Sequence, residues 1–174
     1  MERKLSIQAY CRISIAIAII CAVSQIIIPM PYGVPLTLQT FIIPVIAIVL
    51  GYQGTIAVAV YILMGALGLP VFSGFTGGLH SILGPTGGFI ISFPLLSLCT
   101  SWGAKKKQPI WILLGLLLGT VLNFMSGMIV YSIIMQQSIT TAFIVCVLPF
   151  LPTTIIKIVA TIIIGIRLQK VIRI

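Results

Sequence analysis

Long apolar runs, interrupted at a few points by glycine, proline or lysine, dominate the chain. The first run covers roughly 8–28 and stops at PMPYGVP, 29–35, whose three prolines break a helix. A second, shorter run spans about 37–51 and ends near Gly51; after the GYQG turn at 51–54, a third reaches about Leu67. A glycine-rich stretch follows over 68–88. The fourth run, about 84–103, closes at Lys105, Lys106 and Lys107. The fifth covers about 109–135 and gives way at Gln136 to the polar patch QQSITT; the sixth starts after Pro152 and reaches about Leu168. A helix needs ~20 mostly apolar residues to cross a bilayer core. The pattern therefore predicts an all-α integral membrane protein, a single domain over 1–174, with six transmembrane helices of which the second and third are short.

Composition strengthens this. Hydrophobic residues make up 60% and charged residues 6% of the chain, against ~25% charged in soluble domains. There is too little charge to cover a water-facing surface. The net charge of +9 comes from ten Lys and Arg set against Glu2 alone. No basic stripe interleaved with aromatics is present, so nucleic acid is not the implied partner. The cations sit instead at the ends of runs: Arg3, Lys4 and Arg12 at the start, Lys105, Lys106 and Lys107 between the fourth and fifth, Arg167, Lys170 and Arg173 at the end. Six crossings place these on one side, and the positive-inside rule makes that side, with both termini, the cytoplasm. The outer connections, 29–36, 68–83 and 136–151, then contain no Lys or Arg. The basic start and the apolar stretch from Ile13 to Ile28 have the look of a signal peptide. No small-x-small site precedes a soluble domain, and the segment reads as a retained first helix.

Several chemistries fall away on inventory. There is no GxxxxGK[ST] loop to cradle phosphates. With Glu2 as the one acid, paired-carboxylate catalysis, an Asp-containing triad, an acidic proton relay and a carboxylate metal cage are all excluded. His80 is the sole histidine, and Cys11, Cys21, Cys99 and Cys146 are scattered without a CxxC, so they read as small buried hydrophobes rather than metal ligands. The chain is not expected to be an enzyme, nor to hold a cofactor or metal. Uphill transport would need energy from a partner.

Two features remain. SGFTGGLHSILGPTGGF, 73–89, holds six of the 16 glycines, which permit close backbone approach either to a ligand or to another helix. A helix opening at GPTGG would aim free N–H groups outward, where an anion can meet them. LPFLPTTIIK, 148–157, carries the second. Lys157 lies five residues after Pro152, about 7.5 Å into a helix, and is the one cation outside the three clusters. Its ammonium costs ~2.5–3.5 kcal/mol inside a span. Snorkelling to the headgroups and burial as a neutral amine are the bland readings. The alternative is a ligand that brings the missing anion, held by Lys157 and a helix start that Pro152, Thr153 and Thr154 would form.

PFLPTTIIK and FTGGLHSILGPTGGF both resemble signatures of the BioY family, the substrate-binding (S) components of biotin energy-coupling-factor transporters. VPLTLQT at 34–40, LGLPVF at 67–72 and the N-x7-Y pattern from Asn123 to Tyr131 add to the likeness, which runs from about residue 14 to 168. The resemblance implies a six-helix protein of a bacterial or archaeal cell membrane that binds biotin near its outer surface. It implies docking on a transmembrane coupling (T) protein driven by two ATP-binding subunits, which supply the ATP hydrolysis. Ser14, Ala18 and Ala22 give the small-xxx-small spacing such docking would use; packing within the chain is the other reading.

Three positions depart from the family pattern. Thr153 and Thr154 stand where glycine and aspartate are usual, Phe89 where tyrosine is usual after GPTGG, and His80 where a glycine is usual. A hydroxyl at 154 accepts one hydrogen bond without charge, so dethiobiotin or lipoate is an alternative to biotin. The resemblance assigns Lys157 to the ligand carboxylate. Thr154, Thr76, Gly77, Gly78, Gly87 and Gly88 are expected in the pocket wall, Phe89 against the ring, and Gln39 with Thr37 as lid or polar contacts. A non-transporting membrane scaffold or small membrane enzyme is the competing class. It accounts for the apolar chain but not for a glycine-rich loop beside an unpaired lysine.

Overall fold

The computed structural model describes residues 6–30 and 33–172. Glu2, Arg3, Lys4, Pro31 and Arg173, used in the charge and proline arguments above, lie outside the described residues. The chain is mainly helical: α1 (Ile7–Val23), α2 (Gln39–Leu50), α3 (Tyr52–Ala66), α4 (Leu79–Ile82), α5 (Gly87–Lys105), α6 (Pro109–Ile134), α7 (Ile139–Cys146) and α8 (Leu151–Ile172). Among the described residues, four helical stretches are long and apolar enough to cross a membrane: 7–24, α5, α6, and 139–172. α2 and α3 are apolar but shorter, roughly 18 and 22 Å at 1.5 Å per residue.

α1 starts under Ser6, whose hydroxyl accepts the Ala9 N–H at 3.3 Å. It buries Ala9, Ile13, Ala16 and Ile20 at helical spacing, while Ser14, Ala18 and Ala22 face outward. The helix ends at Val23, short of the 28 expected. Ser24 turns its hydroxyl back onto the Ile20 carbonyl at 2.6 Å, and the β-branched residues Ile27 and Ile28, ahead of Pro29, prefer an extended backbone. They pair antiparallel with Leu36 and Thr37 as a two-stranded ribbon, β1 (Ile27–Ile28) with β2 (Leu36–Thr37).

α5 and α6 pack most intimately, and glycine is the reason. Gly88 lies against the Ser126 carbonyl, Gly115 against the Cys99 carbonyl and Gly103 against the Trp111 carbonyl. A side chain at any of them would meet backbone. The far ends of these two helices carry an aromatic and basic collar. Trp102 and Trp111 stack edge-on with centroids 5.8 Å apart, Lys105 Nζ sits 3.9 Å over the Tyr52 ring, and Lys106 Nζ 5.7 Å over Trp111.

The sixth apolar run forms a single helix, α8, but a further helix, α7, precedes it. Ser138 caps α7 by accepting the Thr141 N–H at 3.1 Å, and a 3-10 turn at Leu148–Phe150 leads into α8. The segment 136–151, expected as a connection, is thus largely helical. Because the Leu151 N–H already bonds the Val147 carbonyl and Thr153 donates to the Phe150 carbonyl at 2.9 Å, the start of α8 continues this turn rather than opening free N–H groups.

The surface is unlike that of a water-soluble domain, and the interior mixes an apolar core with polar groups. Ser92, Ser97, Thr100, Ser101, Asn123 and Thr161 are buried, whereas Ile15, Leu118, Ile129, Ile156 and Val159 are exposed. Lipid as the outer solvent explains both sides: the surface can be aliphatic, and polar groups must find partners inside.

Candidate ligand-binding site

The first turn of α2, the inward faces of α5, α6 and α8, and the Leu148–Phe150 turn enclose a cavity of about 70 Å³. One wall is aromatic. Phe89 and Phe124 meet edge-on with centroids 6.4 Å apart, and Phe93 and Phe150 extend the surface. Aliphatic residues such as Val34, Ile90, Leu96, Leu116 and Ile158 complete the apolar lining, and polar groups are set among them: Thr37, Gln39 and Thr40 from the β2–α2 corner, Thr120 and Asn123 from α6, Thr154, Lys157 and Thr161 from α8.

Lys157 does not snorkel outward. Its Nζ donates to the Thr37 carbonyl at 2.7 Å and to Thr40 Oγ1 at 3.0 Å. Both acceptors are neutral, so neither bond brings an acid to the amine, whose remaining hydrogen-bonding capacity faces the cavity. These bonds tie α8 to the corner where α2 begins.

Behind that corner runs a polar chain. Gln39, 4% exposed, accepts the Thr37 hydroxyl at 3.2 Å and donates through Nε2 to the Tyr61 hydroxyl at 2.6 Å. The Tyr61 hydroxyl shares its one proton between Ser24 Oγ and the Val71 carbonyl, each at 3.1 Å. Gln25 donates to the same Val71 carbonyl and accepts the Phe75 N–H at 2.7 Å. Side chains just after α1 and on α2 and α3 thereby fix the connections that follow α1 and α3 against one another.

Asn123 supplies a different function. Its Nδ2 protons go to the Phe89 carbonyl at 3.0 Å and Ser92 Oγ at 2.7 Å. What it has left to offer is Oδ1, an acceptor on the cavity wall.

The structure brings together Lys157, Thr154, Phe89, Gln39 and Thr37 around this cavity. It does not place Thr76, Gly77, Gly78, Gly87 or Gly88 on the wall. Thr76 is exposed, with its hydroxyl on the Ser73 carbonyl at 3.0 Å. Gly77 lies against the Leu69 carbonyl, and Gly78, at φ 86°, gives its N–H to the Gly65 carbonyl at 2.6 Å. Gly87 lies against the Ile82 carbonyl and Gly88 against α6. Gly77, Gly87 and Gly88 serve close packing of backbone, Gly78 serves a left-handed turn, and from GPTGG it is Thr86 that reaches the cavity. His80 is exposed on α4, 3.4 Å from Ser81 Oγ. Thr40, Thr120, Phe124, Phe150 and Thr161 were not singled out by sequence reasoning, and Asn123 only as part of a motif. A signal did exist for Asn123, the chain's sole asparagine, set in the middle of an apolar run. Among the described residues, no three His, Cys, Asp or Glu side chains come together as metal ligands do.

Fold and site together define a class: a small multi-pass membrane protein whose helices enclose an aromatic pocket with one cationic end. The chain belongs to the BioY family, whose profile matches residues 1–174. It is 40% identical over 137 residues to a probable biotin transporter BioY of Pyrococcus horikoshii, covering 78% of this chain and 81% of that one. It is 39% identical over 146 residues to the biotin transporter BioY of Thermotoga maritima, covering 82% and 86%. Among solved structures, the S-component for biotin from an ECF-type ABC transporter matches 98% of this chain and 95% of its own length, with a TM-score of 0.87 at 28% identity.

Proposed function

We propose that this chain is the membrane-embedded S component of an energy-coupling-factor transporter and that its ligand is biotin. The observation that carries the binding mode is the Lys157 ammonium, facing the cavity with only neutral partners at Thr37 and Thr40. The ligand carboxylate completes that site as a charge-assisted pair. The Asn123 carbonyl accepts a ureido N–H, and Phe89, Phe124 and Phe150 pack on the apolar ring.

The cavity, about 70 Å³, is far below the ~300–1,000 Å³ of sites that enclose drug-sized ligands. Binding therefore needs the wall to give. The segment that yields is the β2–α2 corner, because the carboxylate takes over the ammonium that now holds the Thr37 carbonyl. Thr154 stands one helical turn before Lys157 where the family usually has an acid. This favours, as a second reading, a related carboxylate such as dethiobiotin or lipoate.

The six apolar helices, α1, α2, α3, α5, α6 and α8, all cross the membrane, with both termini and the lysine loop at 105–107 in the cytoplasm. The exposed stripe of Ser14, Ala18 and Ala22 is where the coupling protein packs, and two ATP-binding subunits bring the energy. Calorimetry tests the binding reading. Lys157→Ala weakens biotin by about 2 kcal/mol or more, and the amide of biotin binds the wild type correspondingly weakly. Equal affinity for acid and amide would sink the anion site. Mass spectrometry of the small molecule released from the purified protein separates biotin from lipoate, and co-purification with a coupling protein and ATPases argues against a scaffold or enzyme.

A further inference from the structure

Arg12 lies inside α1, six residues past the Ser6 cap and within an apolar membrane-length window. Among the described residues no hydrogen-bond acceptor or ion-pair partner meets it. Its five N–H donors are therefore open to a ligand at the helix end. What surrounds it is informative. Arg12 forms one end of a groove of about 400 Å³ between α1, α2 and α8. Among the described residues, every other residue of the groove is aliphatic, with Ile15 and Ile19 on α1, Val45 and Val49 on α2, and Leu168 on α8 among them. α2 runs back along α1, so Val49 and the end of α8 share the Arg12 end, while Ile19 lies two turns deeper.

We infer that this groove is a site for one anionic phospholipid, its phosphate on the Arg12 guanidinium and an acyl chain laid along α1, α2 and α8. The match is of charge and of shape together. A phosphate takes the planar guanidinium in a two-pronged contact. The acyl chain needs nothing but aliphatic wall. The two are joined in the order that the groove presents them, head at the helix ends and tail toward the bundle centre. A partner helix would fill the aliphatic part but leave the guanidinium in need of an acid. The groove also lies on a face of α1 next to, and separate from, the Ser14, Ala18 and Ala22 stripe. The inference needs only that the chain spans a membrane and is independent of the ligand assigned to the Lys157 pocket.

Native mass spectrometry of the full chain, purified in mixed micelles containing phosphatidylglycerol or phosphatidylcholine, reads the site directly. The wild type should retain one phosphatidylglycerol at collision energies that strip phosphatidylcholine. Arg12→Gln should lower that retention about fivefold, from ~1 kcal/mol per arginine at an anionic headgroup. Val45→Trp, which fills the groove and keeps Arg12, should lower it as well, and Lys106→Gln in the collar should not. Folding of each variant is checked by monodispersity and unchanged ligand binding at the Lys157 pocket. Retention that is the same for both lipids, or unaffected by Arg12→Gln, overturns the proposal. So does a groove that no lipid occupies and that becomes protected from labelling of Val45→Cys only in the presence of a coupling protein.

Discussion

At the scale of single residues, the site is built on a mismatch between a cation and its surroundings. Lys157 meets a carbonyl and a hydroxyl where an acid would neutralise it. Position 154 lies three residues earlier, on the same helix face. Thr154→Asp should therefore supply the missing acid from within. The affinity gap between biotin and its amide should then narrow, and calorimetry on both ligands reads it. A gap that stays as wide as in the wild type would mean that Lys157 does not read the carboxylate. Tyr61 is the second residue on which much rests. It is fully buried, and its hydroxyl joins Gln39 to Ser24 and Val71. Tyr61→Phe leaves the Gln39 amide donor without its partner, at a cost of ~1–3 kcal/mol. Thermal unfolding in detergent should register that loss, with a smaller effect on biotin than Lys157→Ala has.

At the scale of elements, the glycines of α5 and α6 matter most. A methyl group at Gly88 would be driven into the Ser126 backbone carbonyl, which cannot move aside as a side chain can. Gly88→Ala should destabilise the protein by ~1–3 kcal/mol, as overpacked cores do, and shift Phe89 with it. An unfolding temperature equal to the wild type would contradict the contact. The helical elements were legible in the sequence because apolar runs and their proline, glycine and lysine breaks are local signals. α2, α3, α5 and α6 fall within a few residues of their predicted bounds. α7 was hidden because ITTAFIVC is too short to span and follows a polar patch, and only its Ser138 cap marks it. The site was legible in part. Lys157 and Thr154 stand out as unusual residues on a helix, and Phe89 and Gln39 through motif likeness. The glycines lie off the wall of this cavity for a physical reason. The same absence of a side chain suits a ligand and a neighbouring helix equally, and only three-dimensional packing tells which one is there. Thr40, Thr120 and Thr161 are ordinary threonines until α2, α6 and α8 are placed around one space.

At the scale of the molecule, sidedness is the property that transport depends on. In a cysteine-free background, a membrane-impermeant maleimide added to intact cells should label Leu79→Cys and Ser138→Cys. It should reach Lys106→Cys only after the membrane is opened. All three native residues are exposed, so protection reports the side and not burial. Labelling of Lys106→Cys in intact cells would invert the topology and put the Lys157 pocket at the wrong face for uptake.

The indole pair in the collar has a practical consequence for watching this protein at work. The chain's two tryptophans are Trp102 and Trp111, and on α5 Trp102 follows the pocket residue Phe89 by ~20 Å of helix at 1.5 Å per residue. Their emission should barely change when the pocket fills. It should respond when the basic end meets another subunit or leaves the headgroup layer. Intrinsic fluorescence is thus a built-in channel for docking and tilting, optically separate from ligand occupancy.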